Sequence, residues 1–504
     1  MNVTLFAPYA RYITPHFETE LEIAECHLAA GDAVTFLACH GELDACDVNP
    51  WHGATTCAEC ISRGQRGMQL LTGPVRVERP FTLNSTVAAE LQQIPQRFPD
   101  LESLKTFRLD QFDIGYAALS SLVTITRDPD VDLVAHADLL RRLLRASWLA
   151  YRSVQRHLHE TSVDRLYVFN GRFAPLRAAL RACQAAGIEC LVHERGHDLQ
   201  HYALFLNTLP HDLVYMERQI REAWDRAGPG SQRTEIARQW YEKRARGAET
   251  NFKSFVTSQQ VNCLPDGWNR EKTNVAIFTS SEDEFVAIGD SWQHPFYPNQ
   301  LDGLRAMLNS LSDNRSNLHL YLRMHPNLAE ADNRQTRAMR ELSAACLTVI
   351  PPEDPVSTYD LMREVDKVVS FGSTAGIEAA YWGTPSILAG TCYYRELGAT
   401  YNPATHGEVM RLMTQRLAPL EIEGTLMFGH YFGSFGEPFR HFHASGVFSG
   451  TFKGTVVRPG SMARTRRWLV DRPASVGRKL RRIRRAVGGR CRHVHHRDDA
   501  GSSS

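Results

Sequence analysis

The chain has 504 residues, 43% hydrophobic and 22% charged, an ordinary globular composition that excludes a fibrous, collagen-like or wholly disordered protein. Its formal net charge of +1 hides an asymmetry: residues 461–504 hold thirteen Lys and Arg against Asp471, Asp498 and Asp499, a net of +10, which leaves −9 on the rest. At about 150 residues per domain the length predicts two or three domains.

The elements follow in chain order. Val3–Ala7 reads as a strand, Phe17–Ala30 as a helix ending at Gly31, and Ala33–Ala38 as a second strand, the spacing of a βαβ unit. Residues from about 85 to 160 are mostly helical in pattern. Arg165–Phe169 is a strand, Ala174–Ala186 a helix closed by Gly187, and Glu189–His193 a strand. Residues 215–255 are charged and helix-prone, which predicts one or two exposed helices, and Thr257–Thr273, with Pro265-Asp266-Gly267, reads as a linker. A second βαβ series then runs from Asn274–Thr279 through Leu318–Arg323, Leu347–Ile350 and Lys367–Ser370 to Pro385–Leu388. The predicted architecture is α/β: two Rossmann-like parallel-sheet domains facing a cleft, with a basic C-terminal tail. The expected boundaries are 1–256, a linker at 257–273, a second domain at 274–445 and a basic extension at 446–504.

In open parallel sheets, ligands bind in the loops at the carboxyl ends of the strands. The loop after Lys367–Ser370 holds Gly372, Ser373, Thr374 and Gly376 with Glu378 just inside the next helix; free N–H groups there suit a phosphate, and Glu378 suits sugar or ribose hydroxyls. A Ser/Thr cap with an ordinary first-turn acid is the plainer reading of this stretch. Leu318–Arg323 ends in Arg323-Met324-His325-Pro326, placing a guanidinium and an imidazole at the same edge of the same sheet. In the first half, His16 and Glu18 follow the first strand, Asn170 and Arg172 follow the RLYVF strand, and Glu194 and Arg195 follow ECLVH. Polar groups at three strand ends are costly to bury without a function or a partner. No Asp-x-Asp stands at a strand end, so no catalytic metal is expected.

Cys39, Cys46, Cys57 and Cys60 follow the second strand as C-x6-C-x10-C-x2-C. Four thiolates would close a structural zinc site; an iron–sulfur cluster and plain buried thiols are the alternatives. With eleven cysteines and no basic, apolar leader at Met1–Phe6, the sequence predicts reduced thiols and a cytoplasmic chain. In the tail, Val476, Leu480, Ile483 and Val487 share one helical face among basic residues, the pattern of a helix lying on an anionic membrane surface. The tail offers only Trp468 as an aromatic, so specific nucleic-acid binding is not expected.

Three stretches, TPHFETELEIA with the cysteines after it, VFNGRFAPLRAALRA with HERG, and RMHPN with VVSFGSTAGIEAAYWGTPSI, resemble bacterial capsular and surface polysaccharide biosynthesis proteins, a group related to two-domain (GT-B) glycosyltransferases. The resemblance implies hexosyl or ulosonyl transfer from a nucleotide-sugar donor to a glycan or lipid-linked acceptor. It places the donor against Arg323, His325, Gly372, Ser373, Thr374, Gly376 and Glu378. The acceptor would lie by Asn170, Arg172 and Arg195, and the base would come from Glu194, His16 or Glu18, with His325 also able to move a proton. A polyol-phosphate transferase, or a non-catalytic zinc protein binding nucleic acid, are the competing expectations.

Overall fold

The computed structural model describes residues 1–311 and 317–464. Six strands of a first sheet come early: β1 (Asn2–Phe6), β2 (Ala33–Leu37), β3 (Arg76–Glu78), β4 (Arg165–Phe169), β5 (Glu189–Arg195) and β6 (His201–Leu206). A second sheet contains β7 (Thr273–Phe278), β8 (Leu318–Arg323), β9 (Leu347–Ile350), β10 (Lys367–Ser370) and β11 (Ser386–Leu388). The chain then returns to the first sheet through β12 (Glu437–Pro438) and continues into a hairpin of β13 (Phe442–Gly446) and β14 (Ser449–Phe452).

The first sheet runs β12-β6-β5-β4-β1-β2-β3 and the second β11-β10-β7-β8-β9. All pairings in the second sheet are parallel, as are those among β1 to β5; β6 and β12 run antiparallel at one edge. Parallel strands need helices on both faces, which is why their sequences are continuous apolar runs rather than alternating ones. Val3, Leu5, Val275 and Ile277 are accordingly buried. The order of each sheet reverses at its first strand, between β1 and β4 and between β7 and β10. Such reversals splay the connecting loops apart and open a crevice at the carboxyl ends of the strands.

Two features depart from the sequence reading. Helices Leu213–Ala227 and Ser231–Ala245 were expected to be exposed, yet Met216, Ile220 and Trp224, spaced four apart, and Trp240 and Tyr241 are buried. They cover helix Glu423–Phe432, and Tyr241 stacks on Tyr381 with centroids 3.9 Å apart. The charges seen in the sequence occupy only the outer face. Second, β12 pairs with β6, while Phe442, Ala444, Phe452 and Val457 join a core with Val3, Leu5 and Phe17. Residues 437–457, which the sequence reading divides between 274–445 and 446–504, therefore pack on the first sheet. The described residues include no helix long and apolar enough to cross a membrane. The amphipathic pattern at 476–487 lies outside the described residues.

Candidate active site

The first sheet presents its polar strand ends together. Asn170 adopts a left-handed backbone (φ 56°) directly after β4, and its side-chain amide donates to Glu194 Oε2 at 2.8 Å. Glu194 also accepts the Arg195 N–H at 3.1 Å, and His16 Nδ1 lies 3.9 Å from Oε1. Burial raises the Glu194 carboxyl above its usual range, outweighing the hydrogen bonds from Asn170 and Arg195. Burial, reinforced by Arg195, pushes His16 far below an ordinary histidine, so the ring is neutral. It packs against Phe169 with ring centroids 3.9 Å apart.

Glu18 has a different environment. Its carboxylate is 2% exposed and paired with Arg63, whose guanidinium also donates to the carbonyls of Ala10, Tyr12 and Val457. This arrangement pins the loop after β1 and leaves Glu18 as the counter-ion of a structural arginine. Of the candidate bases, Glu194 alone combines partial exposure with a raised proton affinity. Arg195 reaches across to the carbonyls of Thr14 and Asn251, at 2.7 and 3.2 Å.

On the second sheet, Arg323, His325, Ser373, Thr374 and Glu378 line one pocket. Their individual roles differ from expectation. Arg323 is 2% exposed and donates to the carbonyls of Pro351 (2.6 Å) and Asp354 (3.1 Å), so most of its guanidinium holds the loop after β9. The Glu378 carboxylate accepts from Arg244 at 2.8 Å and from the Tyr359 hydroxyl, and is therefore committed within the protein. Arg244 also donates to Thr374 Oγ1 at 3.1 Å.

His325 accepts the Asn327 N–H on Nδ1 at 3.2 Å, which leaves the ring proton on Nε2. Burial lowers its pKa to about 4, so it is a neutral donor near pH 7. Gly372 and Gly376 shape the pocket without lining it. Gly372 has φ +131°, and a Cβ on it would lie 2.7 Å from the Thr391 carbonyl; one on Gly376 would strike Ser370 and the Tyr394 hydroxyl.

The two halves of the chain are joined by a seam of hydrogen bonds and by a shared core that holds Phe6 and Leu166 with Ile377 and Leu388. Arg172 donates to the Glu284 carbonyl, Arg177 to the Ile288 carbonyl at 2.8 Å, and Trp292 Nε1 to the His211 carbonyl at 2.7 Å. Arg127 pairs with Asp283 at 2.5 Å, and Glu284 accepts from Asn327 at 2.7 Å. The loop after β7, Ser280–Glu284, thus forms the second wall of the cleft at the β7/β10 reversal. Its signal in the sequence is the acidic run Glu282-Asp283-Glu284 after a strand, which lacks the spacing of a metal motif. Arg244 and Tyr359 left no signal, since each meets Glu378 only through folding.

Cys39, Cys46, Cys57 and Cys60 occupy one region beside the loop after β1. Among the described residues, no three of their sulphurs lie within 4.8 Å of one another. A closed tetrahedral zinc site needs sulphurs about 3.8 Å apart, given Zn–S bonds of about 2.3 Å. Cys57 Sγ instead accepts the Asn49 amide at 3.1 Å, and Cys39 Sγ the Gly41 N–H at 3.4 Å. Burial raises Cys39 and Cys46 and pushes Cys60 up to about 12, so these are neutral thiols here.

Residues 286–418 match the family described as capsule polysaccharide biosynthesis protein, a stretch that includes Arg323, His325 and the loop after β10. No curated protein matches the chain. Among solved structures, the beta Kdo 2,4 transferase of Thermosulfurimonas dismutans KpsC is 13% identical, covering 53% of this chain and 79% of its own, with a TM-score of 0.36. The beta Kdo 2,7 transferase of the same protein is 14% identical over 56% and 80%, with a TM-score of 0.34. A UDP-GlcNAc 2-epimerase from Methanocaldococcus jannaschii, in complex with UDP-GlcNAc and UDP, is 9% identical over 85% and 97%, at 0.29. Superposition this loose carries no argument about chemistry.

Proposed function

We propose that this chain, whose residues 286–418 match the capsule polysaccharide biosynthesis family, is a glycosyltransferase that moves a sugar from a nucleotide-activated donor to a surface-polysaccharide or lipid-linked acceptor. One observation carries the reading. Two parallel sheets meet along a seam bridged by Arg172, Arg177 and Arg127, with the half-buried Glu194 carboxylate of raised proton affinity at strand ends of one sheet and a pocket lined by Arg244, Lys253, His325, Ser373 and Thr374 at strand ends of the other.

In this reading Glu194 takes the proton from the acceptor hydroxyl. Burial makes it a stronger base than a solvated carboxylate, and Asn170 orients it. The acceptor oxygen attacks the anomeric carbon as the bond to the donor phosphate breaks. His325 Nε2–H and the hydroxyls of Ser373 and Thr374 stabilise the leaving phosphate by dipoles fixed in advance, which act most strongly where water is excluded. Arg244 neutralises Glu378 and so removes a negative charge that would repel the phosphate. The reading needs no catalytic metal. The basic segment 461–504 would hold the enzyme at an anionic membrane surface, at about 1 kcal/mol per basic residue near the headgroups. A structural zinc at the four cysteines would require their side chains to close inward.

The test is a thermal-shift screen against CMP-, UDP-, GDP- and CDP-activated sugars, repeated with His325→Ala. Stabilisation by one donor class, lost in the variant, is the expected result. Stabilisation by none would sink the donor pocket, and full binding by the variant would remove His325 from it.

A further inference from the structure

Among the described residues, two groups of three potential metal ligands have their ligand atoms all within 4.8 Å of one another: Glu22 with Cys26 and His441, and His197 with Asp198 and His201. The first is already spent. The fully buried Glu22 carboxylate accepts the backbone N–H groups of Arg440, His441 and Phe442 at 2.8–2.9 Å, which staples helix His16–Ala29 to the start of β13. The second group sits on the turn between β5 and β6, and its ligand atoms are set up differently.

We propose that His197, Asp198 and His201 form a binding site for one divalent cation of the zinc class, held by two imidazole nitrogens and one carboxylate oxygen. His197 Nε2 lies 3.5 Å from Asp198 Oδ2, His201 Nδ1 lies 2.6 Å from Asp198 Oδ1, and the two rings are 4.0 Å apart. Ligands about 2.0–2.1 Å from a tetrahedral zinc stand roughly 3.3 Å apart, so an ion enters with small side-chain shifts.

The surrounding bonds orient His197 and Asp198 in the way metal sites require, whereas His201 Nδ1 donates to Asp198 Oδ1 and gives up that proton when an ion binds. A carbonyl can only accept, so the 2.8 Å contact of His197 Nδ1 with the Phe435 carbonyl puts the ring proton there and leaves the Nε2 lone pair toward Asp198. The Gln200 N–H donates to Asp198 Oδ1 at 2.8 Å and leaves Oδ2 available. Backbone bonds from Gly196 to the His201 carbonyl (2.9 Å) and from His197 to the Phe435 carbonyl (3.1 Å) fix the turn. Gly196 is required there, because a Cβ on it would lie 2.6 Å from that of His201. The three side chains are 19%, 42% and 24% exposed, which gives an ion entry and leaves coordination positions for water. Two imidazoles and one carboxylate suit zinc, cobalt or nickel better than calcium or magnesium. The site stands apart from the donor pocket, and no step of sugar transfer passes through it.

The test uses the full-length protein stripped of metal and titrated with Co²⁺ by absorbance and with Zn²⁺ by calorimetry. One equivalent should bind with a nitrogen/oxygen spectrum free of thiolate-to-cobalt charge transfer. That equivalent should weaken tenfold or more in His201→Ala and in Asp198→Asn, and Zn²⁺ should raise the Tm of the wild type but not of either variant. Asp198→Asn keeps shape and decides the matter if His201→Ala does not fold. Equal stoichiometry and affinity in wild type and Asp198→Asn would overturn the proposal and leave the cluster as a hydrogen-bonded turn. A thiolate spectrum alone would overturn it in favour of the cysteines.

Discussion

Replacing Arg244 by Met tests the electrostatic account of the donor pocket. Glu378 is 4% exposed in its side chain, and Arg244, a third exposed, is its charged partner. Removing the guanidinium while keeping its aliphatic length leaves a buried carboxylate beside only the Tyr359 hydroxyl. Breaking a buried pair from one side costs about 3–5 kcal/mol, because the remaining charge has lost both water and partner. At roughly 2–4 °C per kcal/mol for domains of this size, Tm should fall by roughly 6–20 °C. The double variant Arg244→Met/Glu378→Gln removes the stranded charge and should recover most of that loss. Glu378→Gln alone should cost about 1–3 kcal/mol, since Arg244 keeps partial access to water and to Thr374. Differential scanning calorimetry of the three variants reads the cycle. Equal destabilisation of Arg244→Met and the double variant would refute the reasoning, leaving lost packing of Arg244 on the Trp240 ring, 4.8 Å away, as the cause.

Three further outcomes follow from the site. Glu194→Gln should lower transfer by about 10²–10⁴-fold while leaving donor-induced thermal stabilisation unchanged; in the wild type, activity should fall as pH drops through the raised Glu194 pKa, and an acid limb that persists in the variant would assign it elsewhere. Because His325 titrates near 4, its contribution to donor affinity should be flat between pH 5.5 and 8 in calorimetric titrations; a His325-dependent change near pH 6.5 would contradict its neutral state. Asp113→Asn should destabilise by about 3–5 kcal/mol in chemical denaturation, since Arg177, 3% exposed, loses its carboxylate. Burial raises the Asp113 carboxyl, but Arg177 and Arg181 outweigh it and hold it below the usual range, so this stability is present above about pH 4 and is lost on further acidification.

Much of this protein is written locally. A short, mostly apolar run such as Asn2–Phe6 or Lys367–Ser370, five and four residues long, reads as a buried strand, and its position before a helix sets which end carries the functional loop. That is why His325, Ser373 and Thr374 could be placed together from sequence, and why Glu194 and Asn170 could be placed at neighbouring strand ends. What sequence could not supply was the state of each group. Glu18 and Glu194 look alike as loop acids; Arg63, forty-five residues on, commits the first and leaves the second free. Glu378 by its place in the sequence suits sugar hydroxyls, but Arg244, 134 residues earlier, occupies its carboxylate.

The return of residues 437–457 to the first sheet, which sets Phe435 against His197, is likewise invisible to periodicity. The sequence by itself therefore determined the elements, their order and the chemistry available at each strand end, because backbone propensity and hydrophobic periodicity act over a few residues. Tertiary structure alone decided which charges are neutralised, which remain to react and which histidines meet. A group's proton affinity depends on water excluded and charges brought near by segments hundreds of residues away.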